Sequence, residues 1–397
     1  MQRNPLIEIG VIVAGPMDSV DRQSISIAIG QVGDFFRGQF PEFDLRMLRA
    51  RRPELSGDGR AQPSELLQQA AEDRDIHHWD FAFILTAAEL AGVYSPFCFA
   101  ALSRPLDAAV FSLSLIDPQA SGDADEDVRV DRIARRLSRL MLHAIGHLTG
   151  LNRSSDPSNL LFPPATVDEL DAMQHLDEEQ TNRQRVALAE IADARLEESS
   201  GRRKSYPVFA INAAWINRRE IVDAVLGARP WEFPRRLSGL TIASVSTVLI
   251  LFMTAEAWDL GLSQTPASVL LLIALSLCAT TGYVIQRQQL LVRRGRGRSE
   301  QTIVTSVSAV TIVFLGMFVT WIALMSIGFC AGWLFFPSEL VMNWAASSSL
   351  QSEDLGLTTT AHMSSFSASV ALMIGALGAS FESQHHFRHI IYVDEEV

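Results

Sequence analysis

Apolar residues are unevenly spread along this chain, and the pattern divides it into halves of different character. The first half opens with one short apolar run, Leu6–Val13, which reads as a strand. Beyond residue 236 the apolar runs are far longer: four segments, near 239–258, 266–286, 302–326 and 364–381, are each long enough to cross a bilayer, which takes ~20 residues at 1.5 Å each. The third run continues to Phe336, too long for one perpendicular crossing, so it is expected to tilt or to end in an interfacial piece before Pro337. Between the halves, Val167–Glu198 reads as one long charged helix, opened by a capping box in which Thr166 stands three residues before Glu169. After Ser199–Lys204, the stretch Tyr206–Gly227 is amphipathic, with Phe209, Trp215 and Ile221 among arginines. That composition suits a helix lying on a membrane surface or packed on the first domain.

The candidate chemistry lies in His143-Ala-Ile-Gly-His147-Leu-Thr-Gly150-Leu-Asn-Arg153. Two histidines four apart on a helix share one face, the geometry zinc uses. In the zincin pattern His-Glu-x-x-His the residue after the first histidine activates the metal-bound water. Here it is Ala144, and a methyl group cannot take a proton.

The stretch resembles the metzincins, whose pattern His-Glu-x-x-His-x-x-Gly-x-x-His places His143, His147 and Gly150 in register, with Arg153 at the third-ligand position. Among metzincins the order of segments is most similar to the archaemetzincins, over roughly residues 5–175. Phe81–Leu90, Val93-Tyr94-Ser95-Pro96 and Ala109–Ser114 are similar to that family's strand, Tyr-containing segment and edge strand; Leu160-Leu161-Phe162 and Thr166–Asp171 to its turn beneath the metal and its last helix. The resemblance implies a mixed-sheet α/β domain, with the 130–149 helix beneath the cleft and Leu161 near the position of the turn's methionine. The family's cysteine set for a second zinc has no counterpart, since Cys98 is the only cysteine before residue 278.

Composition narrows the alternatives. The three cysteines form no Cys-x-x-Cys site or disulfide framework, which points to a reducing compartment. The N-terminus lacks the pattern of a signal peptide, so the first domain is expected to stay where it is made. Residues 1–175 carry 25 acidic residues against 16 arginines and no lysine, a surface unsuited to nucleic acid. Gly57-Asp-Gly59 lacks the strand–helix context of a phosphate-binding loop.

The arginines orient the apolar half. Arg235 and Arg236 precede the first segment, and Arg287, Arg293, Arg294, Arg296 and Arg298 fill the loop between the second and third. The other loops carry Glu256, Asp259, Glu339, Glu353 and Asp354 without a lysine or arginine. By the positive-inside rule both termini are cytoplasmic, in what is expected to be a bacterial inner membrane. With no charged residue central to any segment, transport is disfavoured. Small residues at Ser367, Ala371, Gly375 and Ala379, and the pair Gly328 and Gly332, suit close helix approach, within the bundle or between copies. His385, His386 and His389 form a tail tract that could hold metal but suits a solvated membrane exit better.

The expected organisation is a metzincin-like domain over 1–175, a helical linker over 176–235, and a four-helix membrane domain over 236–397. The expected function is that of a membrane-anchored pseudoprotease, a non-catalytic binding, scaffolding or regulatory protein with no cofactor, whose partners are the bilayer and another protein or a second copy. Arg153 is expected to pair with Asp156 or with a carboxylate of the 168–171 block. One alternative is a zinc metallopeptidase with a cytoplasmic site, liganded by His143, His147 and an unconventional third group such as Asp156 or His175, with Ala144 standing where a catalytic Glu would be. A further alternative is a structural accessory subunit of a membrane complex.

Overall fold

A computed structural model describes residues 4–55, 59–93, 98–117, 126–192, 206–291, 300–344, 356–378 and 384–397. The segment Tyr94–Pro96, the arginines 293–298, Glu353, Asp354 and Ala379 lie outside the described residues. The chain forms two compact units: Met1–Gly227 with Val292–Val307 and Arg388–Val397, and Ala228–Leu291 with Ser308–Phe387.

In the first unit β1 (Leu6–Ala14), α1 (Ser19–Gln39), β2 (Asp44–Arg52), α2 (Pro63–His77), β3 (Phe81–Thr86), β4 (Ala100–Ser103) and β5 (Ala108–Ser112) lead into α3 (Glu126–Leu148). Then come α4 (Val167–Ala172), α5 (Glu178–Ile191), α6 (Tyr206–Ile216) and α7 (Arg218–Gly227). A two-residue strand, β6 (Glu395–Glu396), closes a six-stranded sheet of order β2-β1-β3-β5-β4-β6. The first four strands in that order run parallel; β4 is antiparallel to both β5 and β6. The sheet is therefore mixed, as the resemblance implied.

The side-chain period of two explains the layers. Ile7, Ile9, Val11 and Val13 of β1 point to the face covered by α1 and α3, where they share one core with Val32, Phe36, Phe83, Phe111, Leu137 and Met141. β3 and β5 are buried along their whole length, as central parallel strands between two layers must be. On α3, Ile133, Leu137, Leu140, Ala144 and Leu148 recur at helical spacing and are buried, which fixes the angle at which the helix lies on the sheet.

Among the described residues, the single charged helix expected over Val167–Glu198 is broken into two helices. The capping box of Thr166 and Glu169 forms, but α4 ends after one and a half turns because Met173 turns into the core in an extended conformation. Asp177 and Gln180 then make a second capping box that starts α5. Residues 193–205 are outside the described set.

Among the described residues, three helices are long and apolar enough to cross a membrane: Pro266–Arg287, the run Ile303–Phe335 within helix Glu300–Phe335, and Leu357–Gly378. The first expected segment, 239–258, is not one helix. It breaks after Ser238–Phe252, and a separate helix covers Ala255–Ser263, its first turn packed so that Trp258 Nε1 donates to the freed Phe252 carbonyl at 2.9 Å. Ser238–Phe252 is bent by 52° from the preceding Ile221–Arg236 stretch, and the pair together passes the same length and hydropathy test. The small-residue stripe is used inside the second unit: a Cβ on Gly375 would lie 1.8 Å from Ser244 Oγ, and Ser367 and Ala371 are fully buried. Gly332 likewise sits against Phe252 and Thr360.

Candidate functional site

The end of α3 holds both histidines. His143 is 1% and His147 7% exposed, one turn apart on the buried face, with Ala144 fully buried beside them. Two local features set the geometry beneath. Gly146 lies against Leu161, whose Cδ2 would be 2.5 Å from a Cβ at that position, so a side chain there would have to displace the Leu161 side chain. Gly150 ends the helix at φ 84°, the left-handed conformation that a helix C-terminus favours and glycine adopts at little cost. The turn so placed brings the Leu160 carbonyl 2.8 Å from His143 Nδ1. His143 Nδ1–H donates to that carbonyl, leaving Nε2 facing the cleft.

What faces the two histidines is the other end of the sequence. β6 adds to the edge of the sheet: Asp394 N donates to Leu102 O at 3.1 Å, Val397 N to Ala100 O at 3.0 Å, and Ala100 N to Val397 O at 2.9 Å. In that register Glu395 points down into the cleft, its side chain fully buried. Its carboxylate lies 3.5 Å from His143 Nε2, against His147 Nδ1, and 2.6 Å from Arg153 Nε. Asp394 Oδ1 is 3.3 Å from His147 Nε2, and its other oxygen accepts from Arg104 N at 3.2 Å. Arg104 also caps the end of α3, donating from Nε to the His147 carbonyl at 2.9 Å and from Nη2 to the Leu151 carbonyl at 3.0 Å.

Arg153 therefore pairs with Glu395, rather than with Asp156 or the 168–171 block. Asp156 is exposed and caps its own loop, accepting from Ser158 N and Oγ; these bonds hold its carboxyl below the ordinary range. His175 pairs by its backbone with the Leu160 strand segment, its carbonyl accepting from Leu160 N at 2.8 Å. Asp171 is taken by Arg136 and Arg139. The structure thus brings together His143, His147, Arg153 and, across Gly146, Leu161, and gives Asp156 and His175 other partners. His389 sits 2.5 Å from Glu396 Oε1, and the side chains of His385 and His386 are outside the described set.

The electrostatics follow from burial opposed by neighbours. Burial alone would pull the His147 imidazole down, but Asp394 and Glu395 outweigh it and raise its pKa. Burial would push Glu395 up, yet His147 and His143 hold it well below the usual carboxylate range. Both directions favour the ion-paired form of His147 and Glu395. The contacts are ion pairs without aligned hydrogen bonds, since His143 Nε2, His147 Nε2 and both Glu395 oxygens find no partner of good geometry.

These residues do not fit a three-ligand zinc site. A metal-binding imidazole must offer a lone pair to the cleft, and one flanked by carboxylates is favoured in the protonated form that lacks it. His147 has a carboxylate against each of its nitrogens, and a guanidinium stands where a third ligand would be. Among the described residues, no three His, Cys, Asp or Glu side chains are placed to hold one metal ion. Only His143, oriented by a backbone carbonyl, has the arrangement of an ordinary ligand.

Sequence reasoning found the histidines, Arg153 and Leu161. It missed Arg104, Asp394 and Glu395, which carry no local motif.

No protein-family model and no curated protein matches the sequence. Solved structures similar to this chain include an archaemetzincin from Methanopyrus kandleri, 17% identical with a TM-score of 0.37, covering 47% of this chain and 98% of that one. A zinc-dependent peptidase from Methanocorpusculum labreanum is 16% identical with a TM-score of 0.35, covering 44% and 99%. An archaemetzincin from Archaeoglobus fulgidus, complexed with malonate, is 14% identical with a TM-score of 0.33, covering 45% and 99%.

Proposed function

We propose that this protein is a membrane-anchored, metzincin-like pseudoprotease, a non-catalytic binding or scaffolding protein whose helix-borne histidines hold a carboxylate in place of a metal ion. The observation that carries the reading is the Arg153–Glu395 pair at the third-ligand position, 2.6 Å long and buried on the Glu395 side. Ala144 adds to it: the position of the general base is a fully buried methyl group, and loss of such a base alone typically removes ~10²–10⁴ in rate.

The membrane half acts as the anchor, with four crossings and both ends on the cytoplasmic side. The charge of the loops supports this: Arg235, Arg236 and Arg287 flank the segments on the expected cytoplasmic side, while Glu256, Asp259 and Glu339 lie in the other loops. α6 and α7 leave Ile211, Trp215, Ile216, Val222 and Leu226 more than half exposed, an apolar strip suited to the membrane surface.

A second reading, a zinc metallopeptidase facing the cytoplasm, is favoured by one contact: the Leu160 carbonyl on His143 Nδ1 is how a zinc-binding histidine is ordinarily oriented. Metal content of the purified full-length protein separates the two, measured by elemental mass spectrometry beside a His143→Ala/His147→Ala control. Zinc well below one per chain and indifferent to the control is the expected result. About one zinc per chain, lost in the control, would favour the peptidase and call for Ala144→Glu to be assayed for cleavage.

A further inference from the structure

The cleft beside β4 has the parts of a peptide receptor, and its occupant belongs to the same chain. An edge strand with unpaired backbone groups recruits an extended segment by main-chain bonds and reads it through pockets for alternate side chains. β4 does this to residues 394–397. Leu102 O and Ala100 O accept from the segment, and Ala100 N donates to it. The alternation then sends Glu395 inward to three nitrogen-bearing side chains and Glu396 to the opposite side, where Val93 N donates to its carboxylate at 2.8 Å. Val397 ends in the hydrophobic core, 3% exposed. Backbone pairing, an acid pocket and an apolar pocket at successive positions form a selective site.

The pocket for Glu395 is the selective element. Two histidines and an arginine converge on this point, and the Arg153 guanidinium, charged at any ordinary pH, lies 2.6 Å from the buried Glu395 carboxylate, a partner that a neutral group would not match. An amide, a hydroxyl or an apolar group presented there would leave Arg153, half-exposed at the cleft, without its charge partner. The apolar strand neighbours supply affinity for any extended peptide; the pocket restricts it to one with a carboxylate at the inward position.

We propose that this cleft is a binding site for extended acidic peptides, with residues 394–397 as its resident intramolecular ligand, exchangeable for a peptide of the same pattern, Asp-Glu-Glu followed by an aliphatic residue, from another protein. This rests on the reading of the site as non-catalytic only in that the histidines are free of metal, and the test is run in chelator for that reason. A zinc-binding result in the elemental measurement would overturn that reading without touching the peptide result.

The experiment uses full-length protein in detergent with EDTA, and a fluorescein-labelled peptide of residues 388–397 followed by fluorescence anisotropy. A variant ending at Val393 is expected to bind the peptide, whereas the intact chain, its cleft filled, binds it at least ~10-fold more weakly. A peptide carrying Glu395→Gln should bind the shortened variant roughly 30-fold more weakly, the scale for loss of a buried charge partner, and Arg153→Ala in that variant should narrow the difference between the two peptides. Should the shortened variant fail to fold, Glu395→Gln in the intact chain keeps backbone pairing and shape while loosening the tail, and native peptide is expected to displace it. Equal binding of Glu and Gln peptides, or no binding to a folded variant with an open cleft, overturns the proposal.

Discussion

The two ends of helix α3 each gather arginines or histidines around carboxylates, and they do so on opposite terms. At its start, Arg129, Arg132 and Arg136 reach Asp117, and Arg136 with Arg139 reaches Asp171, groups drawn from nearby in the sequence, of which Asp117 and Arg136 are buried and Arg129, Arg132 and Asp171 partly open to solvent. At its end His143, His147 and Arg153 receive Asp394 and Glu395, from almost 250 residues away and largely or wholly buried. The first set ties α3 to the loop after β5 and to α4, which any fold of this kind needs. The second depends on a four-residue segment at the edge of the sheet, which closes a cleft. Screened pairs between fixed elements stabilise modestly, while a buried charge cluster is costly to leave half-made. That cost is what makes the second end more stable filled than open.

The sharpest way to break the contrast is Glu395→Ala, which strands His147 and Arg153 around an empty acid pocket. It is expected to cost ~3–5 kcal/mol in chemical denaturation of the first unit. A loss below ~1 kcal/mol would mean that the cluster is solvated and the comparison false. Arg136→Ala, which removes the pairing to Asp171 and a 2.6 Å bond to the Ile116 carbonyl, is expected to cost ~1.5–3 kcal/mol by the same measurement. Gly146→Ala should cost ~1–3 kcal/mol by displacing the Leu161 side chain, and Leu161→Ala in the same chain should restore part of it, a coupling read from a double-mutant cycle.

The smallest effect is in pH. Asp171 has its carboxyl lowered, because Arg136 outweighs the cost of burial. Its contribution is present above the ordinary carboxylate value and is lost as pH falls through the lowered native one. Glu395 shares that sign. His147 is raised, so its contribution is complete below the ordinary imidazole value and disappears as pH rises through the raised one. Asp171→Asn should therefore flatten only the acid limb of stability against pH, and His147→Gln should alter the alkaline limb. An alkaline change in Asp171→Asn would refute the assignment.

How much of this was legible depended on where each partner lay. Strand β1 and the capping box of Thr166 and Glu169 are local patterns, and both form near the expected residues. The break before α5 also has a local signal, Asp177 three before Gln180, hidden by the run of charge around it. The short first apolar helix was misjudged because hydropathy does not register the turn at Met253 and Thr254. Glu395 was out of reach for a different reason. Asp-Glu-Glu-Val has the composition of a solvated tail, and its burial depends on three side chains that only the folded sheet brings together. Arg104, a single arginine between two short strands, had no pattern to betray it.

The position of β6 also fixes an order in time. A chain is made from its N-terminal side, so β1 to β5 and α3 are made before the long apolar helices, and Asp394–Val397 after them. The sheet therefore waits through the production of the entire second unit with β4 as its bare edge, and its histidine pocket is open to whatever the surrounding compartment offers. Completion of the last strand is the step that ends that exposure.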